Sequence, residues 1–123
     1  MFDRISCVAV YVGDMKRAKA FYTEVLGFRV SVDLGPELSF LESPSGKMMI
    51  YFEGGHEPLA TKPEHCRTGF FLEAVGSVHE LHQTLKNAGV VILEDAPEQV
   101  GDDTFCFAFR DPDGNIIEVS GKP

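Results

Sequence analysis

Phe105–Gly121 reads FCFAFRDPDGNIIEVSG. Phe105-Cys106-Phe107-Ala108-Phe109 alternates bulky and small residues, the two-residue period of a strand. Asp111-Pro112-Asp113-Gly114 sets Asp, Pro and Gly at the positions a type I turn favours. Asn115–Val119 then returns as a second strand, so the stretch is a β-hairpin. Glu118 is the one carboxylate in that returning, otherwise apolar strand, and a buried charge is costly unless it is paired or bound to a metal. If Arg110 and Asn115 form the cross-strand pair beside the turn, Phe107 lies opposite Glu118 and Phe109 opposite Ile116. Phe105, Phe107, Phe109, Ile116 and Glu118 then share one face, an aromatic wall carrying a carboxylate.

The hairpin has an echo. Leu38–Phe52, LSFLESPSGKMMIYF, repeats the Ser/Asp-Pro-x-Gly turn with a strand on each side. Aligned without gaps on the turn glycines, Gly46 matches Gly114 and Ile50 matches Glu118, which marks an internal repeat. Pairing across this first hairpin puts Ser39, Leu41, Met48, Ile50 and Phe52 on the face equivalent to that of Glu118.

The elements around the two hairpins repeat as well. Ile5–Val12 and Gly69–Val75 read as strands rich in β-branched and aromatic residues. A helix follows each. Met15–Leu26 starts after Asp14 and stops at Gly27, and the second starts in a Ser77…Glu80 capping box and stops at Gly89. Phe28–Leu34 and Val90–Leu93 supply the next strands, and Glu94–Thr104 is a polar acidic loop. The order is βαβββ twice: repeat one over residues 4–53, a linker over 54–67 and repeat two over 68–121, within one domain. The predicted fold is α+β, with curved mixed sheets around a cavity and helices outside.

Composition narrows the function. The 123 residues suffice for one core without staples. The net charge of −8 argues against a nucleic-acid partner, and no apolar run approaches the ~18 residues of a membrane span. Three cysteines without a CxxC read as reduced thiols, and with no signal-peptide layout the expected compartment is the cytoplasm. The four histidines, His56, His65, His79 and His82, form no ligand pattern.

Val12-Gly13-Asp14-Met15 leading into a helix, Phe21-Tyr22…Leu26-Gly27-Phe28, and Asp111-Pro112-Asp113-Gly114-Asn115…Glu118 together resemble the vicinal oxygen chelate superfamily over about Ile5 to Gly121. This superfamily includes glyoxalase I, bleomycin-resistance proteins and extradiol dioxygenases. The resemblance implies a homodimer and, in metal-dependent members, four ligand positions, which fall on Cys7, Ile50, Phe70 and Glu118. Of these only Glu118 is a ligand of the family type; Ile50 and Phe70 cannot bind a metal, and hard divalent ions disfavour a Cys7 thiolate. No metal is therefore expected. The reading is a binding protein for an apolar or aromatic small molecule, lined by Cys7, Ser39, Ile50, Phe52, Phe70, Phe105, Phe107 and Phe109. Glu118 serves it as a pocket carboxylate or catalytic acid or base, or else as a scaffold residue paired with Arg29 or Arg110. The alternative is a lyase, isomerase or dioxygenase resembling glyoxalase I, with a divalent metal in an atypical site.

Overall fold

In the computed structural model, residues 1, 3–57 and 67–123 are described, without the side chains of 67–70. They form two compact units, Met1–Pro58 and Leu59–Pro123. His65, Cys66 and most of the predicted linker lie outside the described residues.

Unit one runs β1 (Val8–Tyr11), α1 (Met15–Ala20), β2 (Arg29–Asp33), β3 (Leu38–Glu42) and β4 (Met49–Glu53). Its sheet has the order β1-β4-β3-β2, with β1 parallel to β4 and the hairpin pairs antiparallel. Asp14 caps α1, its Oδ1 accepting from the Arg17 N–H at 3.1 Å. The single helix expected over Met15–Leu26 changes pitch after Ala20. Phe21–Val25 is a π-helical turn closed by Leu26 N donating to Phe21 O at 3.2 Å. The wider turn sets Tyr22 into the core, its ring 4.7 Å from Phe52 and 6.0 Å from Phe28.

Edge strand β2 is tied to α1 through Asp33. Lys19 Nζ donates to its Oδ2 at 2.9 Å, and Gly35 N and Ser39 Oγ donate to Oδ1 at 3.0 and 3.1 Å. These donors, Lys19 foremost, hold the carboxyl below its ordinary value of 3.8. A depressed folded-state pKa stabilises above the ordinary value and is lost as pH falls through the folded value. Asp33→Asn is thus expected to lower the urea midpoint near pH 7, with the gap from the parent persisting to about pH 4 and closing below it. A gap independent of pH would refute this role.

Unit two runs β5 (Arg67–Glu73), α2 (Val78–Asn87), β6 (Glu98–Gln99), β7 (Phe105–Arg110) and β8 (Ile116–Gly121). Its sheet has the order β5-β8-β7-β6, with β5 parallel to β8, the same plan as unit one. The Ser77 cap forms as expected, Oγ accepting from Glu80 N at 3.2 Å. The third strand differs from the sequence reading. Val90–Leu93 makes only an isolated bridge, Ile92 to Phe109, and β6 lies inside the stretch read as loop. The break has a cause. Glu94 Oε2 accepts from the Ala108 N–H at 2.8 Å, where a neighbouring strand would offer a carbonyl, and the Glu94 carbonyl accepts from His82 Nε2 at 2.9 Å.

Both hairpins correct the predicted faces. In unit two Asp111, not Arg110, pairs with Asn115: its N–H donates to Asn115 O at 2.9 Å, and its Oδ1 accepts from the N–H groups of Asp113 and Asn115, each at 2.9 Å. The ladder shifts by one residue, so Ala108 faces Glu118, Phe107 faces Val119 and Phe109 faces Ile117. A one-residue slip moves every side chain to the other face. Phe105, Phe107 and Phe109 therefore lie under α2, where His79 and His82 meet Phe105 and Phe107 at 4.8 and 5.0 Å.

In unit one the first turn holds one more residue than the second, since Ser43 N donates to Met48 O where Asp111 N donates to Asn115 O. Glu118 is thereby matched by Tyr51, not Ile50. Leu41 faces Ile50 and Ser39 faces Phe52 on the helix side, and all four are at most 1% exposed. The reason is common to both units. The helix covers one face of its sheet, and the more apolar row takes that face because its burial gains most. Ser39, Ile50, Phe52, Phe105, Phe107 and Phe109 are therefore helix-side residues, not the lining of a cavity shared with Glu118.

Candidate functional site

The faces turned away from the helices carry the polar and reactive groups. On sheet one these come from alternate residues of β1, β3 and β4. Phe40 pairs with Tyr51 across the antiparallel ladder, their rings 5.5 Å apart, and Ala9 pairs with Tyr51 across the parallel one. Tyr11 follows Ala9 by two and faces Glu53. Beyond Glu53, His56 lays its ring 4.8 Å from that of Tyr11 and reaches Glu53 Oε1 through Nε2 at 3.3 Å. Cys7 is half-buried just before β1. Partial burial, then Tyr11, Glu53 and Cys7, raise the Tyr51 hydroxyl above its ordinary range, so the phenol stays protonated. The result is an aromatic face with Tyr51 in its middle, between Phe40 and the small Ala9, and with a charged end.

On sheet two the face turned away from α2 carries Cys106, Ala108, Arg110, Ile116, Glu118 and Ser120; Leu93 packs on Ala108 and Ile116, which are buried, while Phe71 of β5, opposite Glu118, is 56% exposed. Glu118 is half-buried. Burial, then Glu94, Glu98 and Glu118, push the Cys106 thiol up, which keeps it a neutral thiol ringed by carboxylates and a poor nucleophile. Arg29, one partner considered for Glu118, pairs instead with Glu42 at 2.9 Å. Arg110 donates to Gly114 O at 3.1 Å.

Of the residues expected to line a site, Cys7 and Glu118 stand on open faces, six lie under the helices, and the side chain of Phe70 is outside the described residues. Tyr11, Phe40, Tyr51, Glu53, His56 and Phe71 were missed. A signal for the β1, β3 and β4 residues existed in strand phase: Val10, Val12, Leu41, Ile50 and Phe52 form an apolar row, interrupted on β3 by Ser39, and it is the row the helix covers. A groove of about 840 Å³ also opens in unit one, among Gly13, Asp14, Lys16, Pro36, Glu37 and Gly54. It is wide and offers no ring to a ligand, so the aromatic face is the better site.

The metal implied by the resemblance does not fit these donors. At the corresponding positions unit one has a thiol and a protonated phenol, and unit two has one carboxylate and a phenylalanine. Among the described residues no three His, Cys, Asp or Glu side chains come together as a metal would need. No described helix is long and apolar enough to cross a membrane.

Two four-stranded sheets, each built as βαβββ with a helix on one face, define the glyoxalase-like class of α+β fold. The sequence profile of the Glyoxalase/Bleomycin resistance protein/Dioxygenase superfamily matches residues 4–119, and the chain belongs to that superfamily. The uncharacterized protein YetH of Bacillus subtilis (strain 168) is 34% identical over 123 residues, covering 95% of this chain and 97% of its own. The crystal structure of virulence protein STM3117 from Salmonella typhimurium superposes with a TM-score of 0.72 at 25% identity, covering 100% of this chain and 99% of that one. TnmS3, an antibiotic binding protein from Streptomyces sp. CB03234, superposes with a TM-score of 0.77 at 23% identity over 99% and 98% of the two chains, a likeness of fold.

Proposed function

We propose that the protein binds an apolar or aromatic small molecule without a metal. The observation that carries this reading is the open face of sheet one, where Tyr11, Phe40 and Tyr51 offer rings beside the single carboxylate of Glu53. Apolar and aromatic walls with a few polar groups are the usual makeup of a small-molecule site. Cys7 borders the face. Within this reading the protein is a cytoplasmic homodimer. The donor chemistry speaks against the metal-dependent lyase, isomerase or dioxygenase, since a protonated phenol replaces a carboxylate or imidazole at one position.

The test is equilibrium dialysis of fluorene and related flat aromatics against chelator-treated protein, with and without added Ni, Zn or Mn. Binding independent of metal is expected. Phe40→Ala is expected to weaken it about five- to tenfold, the size of one aromatic contact. Binding that appears only on metal addition would overturn the reading in favour of the metal enzyme.

A further inference from the structure

The phenol of Tyr51 has a feature that the ring face alone does not use. Its ring is fixed against Phe40 at 5.5 Å in the middle of sheet one, and among the described residues its hydroxyl has no hydrogen-bond partner. The nearby groups are engaged elsewhere or offer little. Glu53 receives His56, Tyr11 lays its ring against that of His56, Ala9 brings only a methyl group, and Cys7 is a weak acceptor. A hydroxyl on a half-buried aromatic face is satisfied by water or by whatever displaces that water, and a bound group that cannot replace it loses affinity.

We infer that Tyr51 donates a hydrogen bond to an oxygen acceptor on the bound molecule, so the ligand class is a flat aromatic bearing a carbonyl or comparable oxygen over the β3–β4 pair. This rests on the reading that the face binds aromatics, and adds which polar group the ligand carries and which residue selects it. Because the hydroxyl is held protonated, it acts as a donor throughout the neutral range. It stands at the position where the resemblance implies a metal ligand, so a neutral hydrogen-bond donor contacts the ligand where a metal would polarise it.

The test uses two probes of nearly one shape, 9-fluorenone and fluorene, which differ in the carbonyl oxygen. Their affinities for the parent, Tyr51→Phe and Phe40→Ala proteins are measured by equilibrium dialysis. The parent is expected to prefer fluorenone, and Tyr51→Phe to weaken fluorenone about fivefold to tenfold, the worth of one neutral hydrogen bond, while leaving fluorene unchanged. Phe40→Ala is expected to weaken both probes alike. Equal affinity of the parent for the two probes, or a Tyr51→Phe protein that keeps the preference, would overturn the inference and leave aromatic binding standing. If neither probe binds, the inference falls together with the reading beneath it. Far-ultraviolet circular dichroism of each variant shows that a loss is not unfolding, since Tyr51→Phe keeps the ring that packs on Phe40.

Discussion

Gly54→Ala is expected to destabilise the protein by about 3 kcal/mol or more, a large share of the ~5–15 kcal/mol that holds a domain folded. Gly54 follows β4, and its N–H donates to Glu37 O at 3.0 Å. That bond draws the chain against the Pro36 turn so closely that an added Cβ would sit 2.0 Å from the Pro36 carbonyl oxygen. The obstacle is backbone, so no side chain can swing away, and the turn or the end of β4 has to move. Gly101→Ala is the control. Its Cβ would meet nothing nearer than Thr104 Cβ at 3.8 Å, an ordinary contact. Loss of a glycine there also restricts the unfolded chain, so a change within about 0.5 kcal/mol or a slight gain is expected. Urea unfolding of both variants decides the matter; equal midpoints would mean that Gly54 is not under the contact described.

Phe107→Ala is expected to cost about 3–5 kcal/mol, as truncation of a buried aromatic does, yet to leave the affinity for fluorene within about twofold. Phe107 is 2% exposed, with its ring 5.0 Å from His82 and 6.3 Å from Phe109. Its role is to fill the space between α2 and β7. Phe40→Ala is expected to show the reverse, a small loss of stability with a clear loss of binding. The pair of variants tests which face binds the probe. If Phe107→Ala abolished binding at little expense in stability, the binding face would lie on sheet two, with Phe107 opposite Glu118 as first read from the turn.

The sequence announced the doubled βαβββ plan clearly, because its signals are local: Asp14 and Ser77 as caps, Gly27 and Gly89 after the helices, two Pro-x-Gly turns. The open faces were not legible from the turns, since a face depends on register and register on a count that one residue upsets. The Asp111 side chain gathers the N–H groups of Asp113 and Asn115, which makes Asp111 the last paired residue where Arg110 had been expected. The first turn carries an extra residue, which turned Ile50 into the apparent counterpart of Glu118 and hid Tyr51. The π turn at Phe21–Val25 and the gap between Val90–Leu93 and β6 escaped for another reason. Both are settled by tertiary partners, Tyr22 packing on Phe52 in one case and Glu94 bonding Ala108 in the other.

The bond from Ala108 N–H to the Glu94 carboxylate also bears on how the protein behaves when crowded. A gap in an edge strand exposes the backbone groups that a strand from another molecule would seize, the first step toward ordered aggregates. At Ala108 both are already taken, the N–H by a side chain and the carbonyl by Leu93 N at 2.9 Å. An incoming strand would have to displace a charged group and bury it, or leave it unpaired. The interruption of β6 thus works as a guard on the sheet, protecting the stretch richest in phenylalanine from recruitment into fibres.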